Sequence, residues 1–206
     1  MGAKLGLNPW WSMWVRPKKT MEALQALPAS YRILWLLGLY GFNYACSFIL
    51  LFSLGHSYSA GLLLGIALVA AIPVGALTVS IMSALLFILG KLVGGKGSYA
   101  RILSAAAWSC VGYIPVALLW LVAAFLFGRG AFIDGYIAEQ ATTTGSFFAL
   151  SLFLINVVAL IWVIVMLVNA LGVVQRFSAW MGLLNLALAA TVLGVVKWII
   201  TMQIGS

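Results

Sequence analysis

Long apolar runs separated by short polar stretches give this chain its organisation. Five runs are each long enough to cross a hydrocarbon layer of about 30 Å, because a helix rises about 1.5 Å per residue. The pattern predicts an all-α polytopic membrane protein in two parts, an N-terminal segment at residues 1–30 and a bundle of five transmembrane helices at residues 31–206. The predicted spans are residues 31–53, 60–90, 99–127, 146–171 and 179–201.

The clearest polar interruption lies in the stretch from Lys91 to Pro115, which contains three basic residues. This stretch includes the turn between the second and third predicted spans and the first part of the third. Counted over alternating loops, nine of the 11 Lys and Arg residues fall on one side of the membrane and two on the other. Asp134 and Glu139 share the side that has few cations. Because basic loops stay in the cytoplasm, we expect a cytoplasmic N-terminus and a C-terminus outside.

Composition favours a membrane protein and argues against nucleic-acid binding. The chain is 65% hydrophobic and 7% charged, with a mean hydropathy of +1.18, values that do not suit a surface facing water. A net charge of +8 would indicate a nucleic-acid partner in a soluble protein, but here the cations lie beside apolar spans. Cys46 and Cys110 fall inside spans, where small buried hydrophobic residues are expected rather than a disulfide or a metal site.

The N-terminal segment combines tryptophans with basic residues, a mixture typical of the lipid headgroup layer. One short helix fits between Pro17 and Pro28, with Thr20 as its N-cap. We expect either an interfacial anchor with no further role or a docking surface for a cytoplasmic partner. The apolar face of the helix would consist of Met21, Leu24 and Leu27, and the segment's aromatic and basic residues are Trp10, Trp11, Trp14, Lys4, Arg16, Lys18 and Lys19.

The second and third predicted spans each contain a proline, Pro73 and Pro115, at a similar depth from their outer ends. Two helices broken at one depth frame the substrate site of some transporters, whereas isolated prolines only shape helix packing, the role that we favour here. Gly61 and Gly65 form a small-xxx-small pair, which predicts close packing within the bundle. The polar residues that would line a cavity at the broken helices are Thr78, Ser80, Ser109 and Tyr113.

The polar residues deep inside the spans are predicted to be neutral and structural, because basic residues such as Arg32 and Lys197 lie close enough to the span ends to reach the headgroups. No acidic residue falls inside a span, although proton-coupled or cation-coupled transport usually uses an intramembrane carboxylate. Asn43, Asn156 and Asn185 are predicted to be buried, and Asn43 and Asn156 lie near the middle of their spans. Interhelical hydrogen bonds of about 0.5–2 kcal/mol are expected there.

The sequence predicts neither an enzyme nor a cofactor or metal site. The run GKLVGGKG at residues 90–97 has the glycine and lysine spacing of a phosphate-binding loop, but Gly97 stands where a hydroxyl must reach magnesium. No buried strand precedes it, as that loop requires. His56 is the single histidine, and no paired carboxylates or activated cysteine accompany it.

Three groups of residues stand out around the spans: Asn8-Pro9-Trp10 with Arg16-Pro17, Gly94-Gly95-Lys96-Gly97-Ser98-Tyr99 leading to Trp108 and Pro115, and Trp162 followed by Gln175, Phe177 and Ser178. Together they resemble the YIP family, the Ypt-interacting or Rab-interacting membrane proteins with five spans. The resemblance covers nearly the whole chain, and the glycine-rich turn is its most specific part. It implies a five-helix fold with a cytoplasmic N-terminus.

The resemblance also bears on partners and location. Eukaryotic YIP proteins are tied to vesicle traffic and small GTPases, and they usually carry a long polar N-terminal region. Since this sequence shows no such region, we expect a bacterial inner-membrane member, and the resemblance gives little support for GTPase binding.

The function favoured by the sequence is that of a non-enzymatic membrane protein that binds partners or organises lipid through a basic cytoplasmic face. Its expected partners are anionic lipid headgroups and other membrane proteins. The alternative is a small transporter or channel, or an accessory subunit of a transport complex, with its site at the kinked second and third helices. The residues predicted for this interaction face are Trp10, Arg16, Pro17, Lys18, Lys19, Gly94, Gly95, Lys96, Gly97, Ser98, Tyr99, Arg101, Gln175 and Arg176.

Overall fold

The structure, a computed structural model, describes residues 8–139 and 143–204, so the predicted cation Lys4 lies outside the described residues. All regular elements in these two ranges are helical, which confirms the all-α prediction. The α-helices are α1 Pro9–Val15, α2 Pro17–Leu24, α3 Ile33–Leu51, α4 Ala60–Leu92, α5 Tyr99–Ser109, α6 Ile114–Phe127, α7 Tyr136–Glu139, α8 Thr143–Gln175 and α9 Ala179–Ile204. Short 3₁₀ turns occupy Leu54–His56, Cys110–Tyr113 and Gly128–Phe132.

Five helical segments are long and apolar enough to cross a membrane, which confirms the predicted number of spans. The third segment combines α5, a 3₁₀ turn, α6 and a second 3₁₀ turn, and it therefore extends five residues beyond the predicted end at residue 127. The segments are Ile33–Leu51, Ala60–Leu92, Tyr99–Phe132, Gly145–Gln175 and Ala179–Val196.

The N-terminal segment contains two short helices rather than the single one predicted. The side chain of Asn8 caps α1, accepting from the backbone N–H of Trp10 at 3.2 Å. Pro17 opens α2, because a proline at the first helical position loses no hydrogen bond. Thr20 is therefore not the N-cap: it lies inside α2, where its hydroxyl donates to Arg16 O at 2.9 Å. Met21 is buried, as predicted for the apolar face of this helix.

The two prolines behave differently. The third span is interrupted by the Cys110–Tyr113 turn, and Pro115 stands in the first turn of α6, where its missing N–H costs nothing. Helix α4 continues through Pro73, so of the two predicted breaks only the one at Pro115 is present.

The chain forms two compact units. The second unit, Arg32–Val79 and Ala107–Val165, is held by close backbone packing. A Cβ on Gly41 would overlap Ala71 O, and one on Gly75 would overlap Leu37 O, so α3 and α4 meet backbone to backbone. Gly61 and Gly65, predicted to provide close packing, have no neighbour within 4 Å of such a Cβ. The apolar core of this unit includes Phe42, Cys46, Ile49, Leu63, Ala67 and Phe132.

The first unit comprises Met1–Tyr31, Ser80–Ala106 and Met166–Ser206. It contains α1 and α2, the connection between α4 and α5, and the connection between α8 and α9. These are the three polar parts of the sequence from which the interaction face was predicted, and the structure gathers them into one unit.

Candidate functional site

The end of α4 begins the glycine-rich turn with a Schellman motif. Gly94 has a φ of +87°, in the left-handed region that favours glycine. The N–H of Gly95 donates to Gly90 O at 2.7 Å, and the N–H of Gly94 donates to Lys91 O at 3.2 Å. These bonds satisfy carbonyls that the helix end would otherwise leave without partners.

Gly95 and Gly97 are needed for space, whereas Gly94 is needed for its backbone angle. A Cβ on Gly95 would overlap the side-chain oxygen of Gln175, and one on Gly97 would lie 3.1 Å from Val174. Of these three glycines, Gly94 alone has a positive φ.

Gln175 joins the glycine-rich turn to the end of α8. Its backbone oxygen accepts from the N–H of Lys96 at 3.1 Å. Its buried side chain donates through Nε2 to Leu86 O at 3.1 Å, and Nδ2 of Asn185 in α9 donates to the same oxygen at 3.0 Å. The sequence analysis placed Gln175 in the interaction face and predicted that Asn185 is buried, but it linked neither residue to Leu86. The signal for Asn185 was an asparagine in an apolar span, which has to find a hydrogen-bond partner inside the protein.

Arg101 has a structural role instead of the predicted surface role. Its Nη1 donates to Leu27 O at 2.9 Å and to Leu24 O at 3.4 Å, so it binds carbonyls at the end of α2. A cation is favourable at a helix C-terminus, where the last carbonyls carry partial negative charge. Arg101 therefore fastens the N-terminal segment to α5.

Tyr99 and Ser98 also serve the fold of this turn. The Tyr99 ring packs edge-on against Phe87 with ring centres 6.3 Å apart. The carbonyl of Ser98 accepts from the N–H groups of Arg101 and Ile102, the first bonds of α5.

Six cations are exposed among the described residues of the first unit, and we call five of them the basic face: Arg16, Lys18, Lys19, Lys96 and Arg176. No carboxylate among the described residues pairs with any of them, and Glu22 is the single acidic residue in the sequence of this unit. Lys91 is a sixth exposed cation of this unit, and its Nζ lies 5.6 Å from the centre of the Phe87 ring.

Arg176 occupies a backbone position that glycine usually takes. Helix α8 ends at Gln175, and Arg176 follows it with a φ of +59°. The N–H of Phe177 then donates to Gly172 O at 2.9 Å, the same closing bond that is seen at the end of α4. A non-glycine residue in this conformation costs about 1 kcal/mol.

Large apolar side chains are exposed near these cations in the sequence. Trp11 is 76% exposed on α1, and Trp180 is 80% exposed at the start of α9. Trp10, also predicted for the interaction face, is partly buried. Exposed tryptophan beside Lys and Arg is typical of the membrane–water interface.

The residues predicted for a cavity at broken helices do not form a polar lining. Thr78 donates to Val74 O of its own helix at 2.7 Å, and Ser109 is buried. The Tyr113 ring packs on Tyr40 with ring centres 5.6 Å apart. Ser80 belongs to the first unit, where its carbonyl lies 3.5 Å from the Tyr99 hydroxyl.

Of the asparagines predicted to be buried, the two near the middle of their spans differ. Asn43 is buried, and its Nδ2 donates to Leu39 O at 2.8 Å and, across to the third span, to Tyr113 O at 3.5 Å. Asn156 is exposed, and its Nδ2 donates to Leu152 O of its own helix at 2.9 Å. The prediction of a buried residue was therefore wrong for Asn156, since depth in a span does not determine which side of a helix faces the bundle.

No cluster of three or more His, Cys, Asp or Glu side chains that would suit a metal ion occurs within residues 8–139 and 143–204. The comparisons with known proteins give one match. A family model described as Yip1 domain matches residues 11–200. No curated protein and no solved structure matches the chain.

Proposed function

The chain belongs to the Yip1 family, and we propose that its basic face binds an anionic membrane surface. The family is not known as enzymatic, and membership suggests an integral membrane protein that is involved in membrane traffic or membrane organisation. Proteins of the family interact with GTPases and with membrane components generally. For this chain, the groups that the basic face binds are the phosphates of lipid headgroups.

The observation that carries the proposal is the separation of cations into two roles. Arg101 is used inside the fold, on the carbonyls of Leu24 and Leu27, whereas the five cations of the basic face are exposed without a described carboxylate partner. A cation near an anionic leaflet contributes about 1 kcal/mol, so five contribute about 5 kcal/mol. Such an energy holds the surface of the first unit against the headgroups.

Exposed tryptophan favours lipid over a protein partner as the anionic surface. Trp11 and Val15, 76% and 70% exposed, stand on the helix that precedes Arg16 and Lys18. Their apolar bodies suit the boundary between headgroups and acyl chains, while the cations suit phosphate.

Arg176 gives independent support. Its backbone conformation favours glycine, yet the residue present carries a long cationic side chain that is exposed. A residue kept in an unfavourable conformation is typical of a functional position.

The test of the basic face is the triple variant Lys18→Gln, Lys19→Gln, Lys96→Gln, which keeps Arg16 and Arg176. Native mass spectrometry of the purified protein with added phosphatidylglycerol counts the lipids retained as ionic strength rises. Because the Debye length falls from about 30 Å at 0.01 M to about 3 Å at 1 M, the wild type should lose lipid across this range. The triple variant should lose about 3 kcal/mol, and it should retain few lipids even at low salt.

The control is Arg129→Gln, which removes an exposed cation from the second unit and should change retention little. Equal retention by the wild type and the triple variant at every ionic strength would refute the lipid proposal. If lipid retention is equal but the triple variant loses a copurifying acidic protein, the anionic surface belongs to a partner.

The variant Arg176→Gly separates binding from stability. Relief of the left-handed backbone should raise the free energy of unfolding by about 0.5–1 kcal/mol, while loss of the cation should lower phosphatidylglycerol retention. Opposite signs in the two measurements support a binding role. A fall in both would show that the side chain stabilises the fold.

We also propose that the first unit faces the cytoplasm, as the charge distribution predicts. Cysteines placed at Ser57, Ser98 and Ser178, which are all exposed, report the orientation through an impermeant maleimide. The native Cys46 and Cys110 are buried and give a low background. Labelling from outside at residue 57 alone is expected, and labelling at residue 98 would reverse the orientation.

A transport function has less support than the lipid-binding function. Helix α4 is continuous through Pro73, and the hydroxyl of Thr78 is bonded to its own helix. An isotope-flux assay with the wild type in liposomes would favour transport if it found a solute whose flux is lost in Pro115→Ala.

A further inference from the structure

The second unit has a cavity of about 490 Å³ that is open on one side. Its wall consists of residues from α3, α6 and α8 and from the connection after α6. A volume of this size lies within the range of about 300–1,000 Å³ that is usual for small-molecule sites. Leu50, Val116 and Phe153 give it an apolar lining.

The polar side chains that line the cavity differ in whether they already have a partner within the protein. Ser47 donates to Asn43 O at 2.9 Å, and Asn156 donates to Leu152 O at 2.9 Å, so both have used a donor within their own helices. Asp134 is exposed, and no cation among the described residues pairs with its carboxylate. Its backbone N–H donates to the hydroxyl of Ser53 at 3.1 Å, which fixes the position of the residue.

Trp120 forms a rigid aromatic part of the wall. Its ring stacks on buried Phe132, with ring centres 5.8 Å apart and planes inclined by 2°. A tryptophan ring attracts cations through its negative face. The cavity therefore combines an apolar lining with one carboxylate and one indole, and it carries no lining cation.

We propose that this cavity binds a cationic amphiphile, with its alkyl chain against Leu50 and Phe153 and its ammonium group at Asp134. The carboxylate selects a cation over a neutral or anionic headgroup by direct electrostatic attraction. The alkyl chain of the ligand is bound through burial of its apolar surface, which contributes about 25 cal/mol per Å². The ammonium chemistry is shared by ethanolamine phospholipids and by free alkylammonium compounds.

The test measures binding of dodecyltrimethylammonium to the purified full chain by native mass spectrometry in a neutral detergent. Asp134→Asn should weaken binding about tenfold, which corresponds to about 1.4 kcal/mol. Ala149→Phe fills the cavity and should abolish binding. Glu139→Gln removes an exposed acid of the same connection that does not line the cavity, and it should leave binding unchanged. Thermal unfolding of each variant checks that it is folded.

Dodecanol supplies the same chain without the charge, and it should bind more weakly than the ammonium compound. Equal binding of the two probes, or equal affinity in the wild type and Asp134→Asn, would overturn the proposal. So would full binding to folded Ala149→Phe.

Two further arms identify the source of the ammonium group. If phosphatidylethanolamine binds the wild type and loses affinity in Asp134→Asn while phosphatidylglycerol shows no such difference, the ligand is a membrane lipid. If dodecyltrimethylammonium depends on Asp134 and phosphatidylethanolamine does not bind, the ligand is a free amphiphile. Both results support the site, and neither depends on the basic face.

Discussion

The two units of this protein are stabilised by different interactions. In the second, α3 and α4 approach until glycine is the residue that fits, at Gly41 and Gly75. In the first, polar side chains bind backbone carbonyls: Arg101 at the end of α2, and Gln175 and Asn185 on Leu86 O.

This difference indicates where each unit tolerates change. Backbone contact depends on shape, and one added carbon separates two helices over their whole interface. A side-chain hydrogen bond is worth about 0.5–1.5 kcal/mol when neutral and about 1.5–3 kcal/mol when charged, so its loss is local and graded. A side chain added at the contact between α3 and α4 should therefore unfold the second unit abruptly, whereas the loss of one side-chain hydrogen bond should weaken the first unit only in part.

The largest effect is expected at the contact between α3 and α4. Gly75→Val places side-chain atoms on Leu37 O and should cost more than about 4 kcal/mol, enough to remove most folded protein. Gly61→Val in the same helix is the matched control, because nothing lies within 4 Å of its Cβ position. The monodisperse yield after extraction measures both. Normal yield for Gly75→Val would show that the two helices separate without penalty.

The next effect is expected in the glycine-rich turn. Gly95→Val should cost several kcal/mol because its side chain meets Gln175, whereas Gly94→Val should cost about 1–2 kcal/mol because only its backbone angle is strained. Gly97→Val should fall between them, with Val174 close by. Thermal unfolding in detergent gives the ranking.

Coupling to Gln175 checks the mechanism of this turn. Adding Gln175→Ser to Gly95→Val should recover part of the lost stability, since the smaller side chain makes room. The same change added to Gly94→Val should recover nothing. Equal responses would contradict a steric role for Gly95.

The spans were predictable from sequence because hydrocarbon imposes length and composition on any helix that crosses it. The grouping of the interaction face was also predictable, since alternating connections of a five-helix chain fall on one side. The glycine-rich turn at residues 94–97 and Gln175 were assigned to this face because they carry the family resemblance and lie at these connections.

The roles of individual side chains were not predictable, because they depend on the rotation of each helix. Arg101 looked like the other cations of the face until its carbonyl partners were known. Asn156 lies as deep in its span as Asn43 and yet is exposed. Thr20 has the chemistry of an N-cap, but Pro17 three residues earlier already begins the helix.

A moderate effect is expected for Arg101. Arg101→Gln cannot reproduce the charged hydrogen bonds to Leu24 O and Leu27 O, and it should weaken attachment of the N-terminal segment by about 1.5–3 kcal/mol. Hydrogen exchange of residues 17–27 should accelerate about tenfold or more, while α4 is unaffected. Lys18→Gln, an exposed cation on α2 itself, should leave exchange unchanged. Equal exchange in both variants would show that the segment is held by its apolar face alone.

The smallest effects on stability are expected when one buried asparagine is replaced in each unit. Asn185→Leu removes a buried hydrogen bond of 3.0 Å to Leu86 O and should lower the free energy of unfolding by about 1 kcal/mol. Asn43→Leu removes a longer contact of 3.5 Å to Tyr113 O, and it should change that free energy by less than about 0.5 kcal/mol because apolar packing holds the second unit. Unfolding in a denaturing detergent measures both variants. A larger loss for Asn43→Leu than for Asn185→Leu would mean that hydrogen bonding supports the second unit as much as the first.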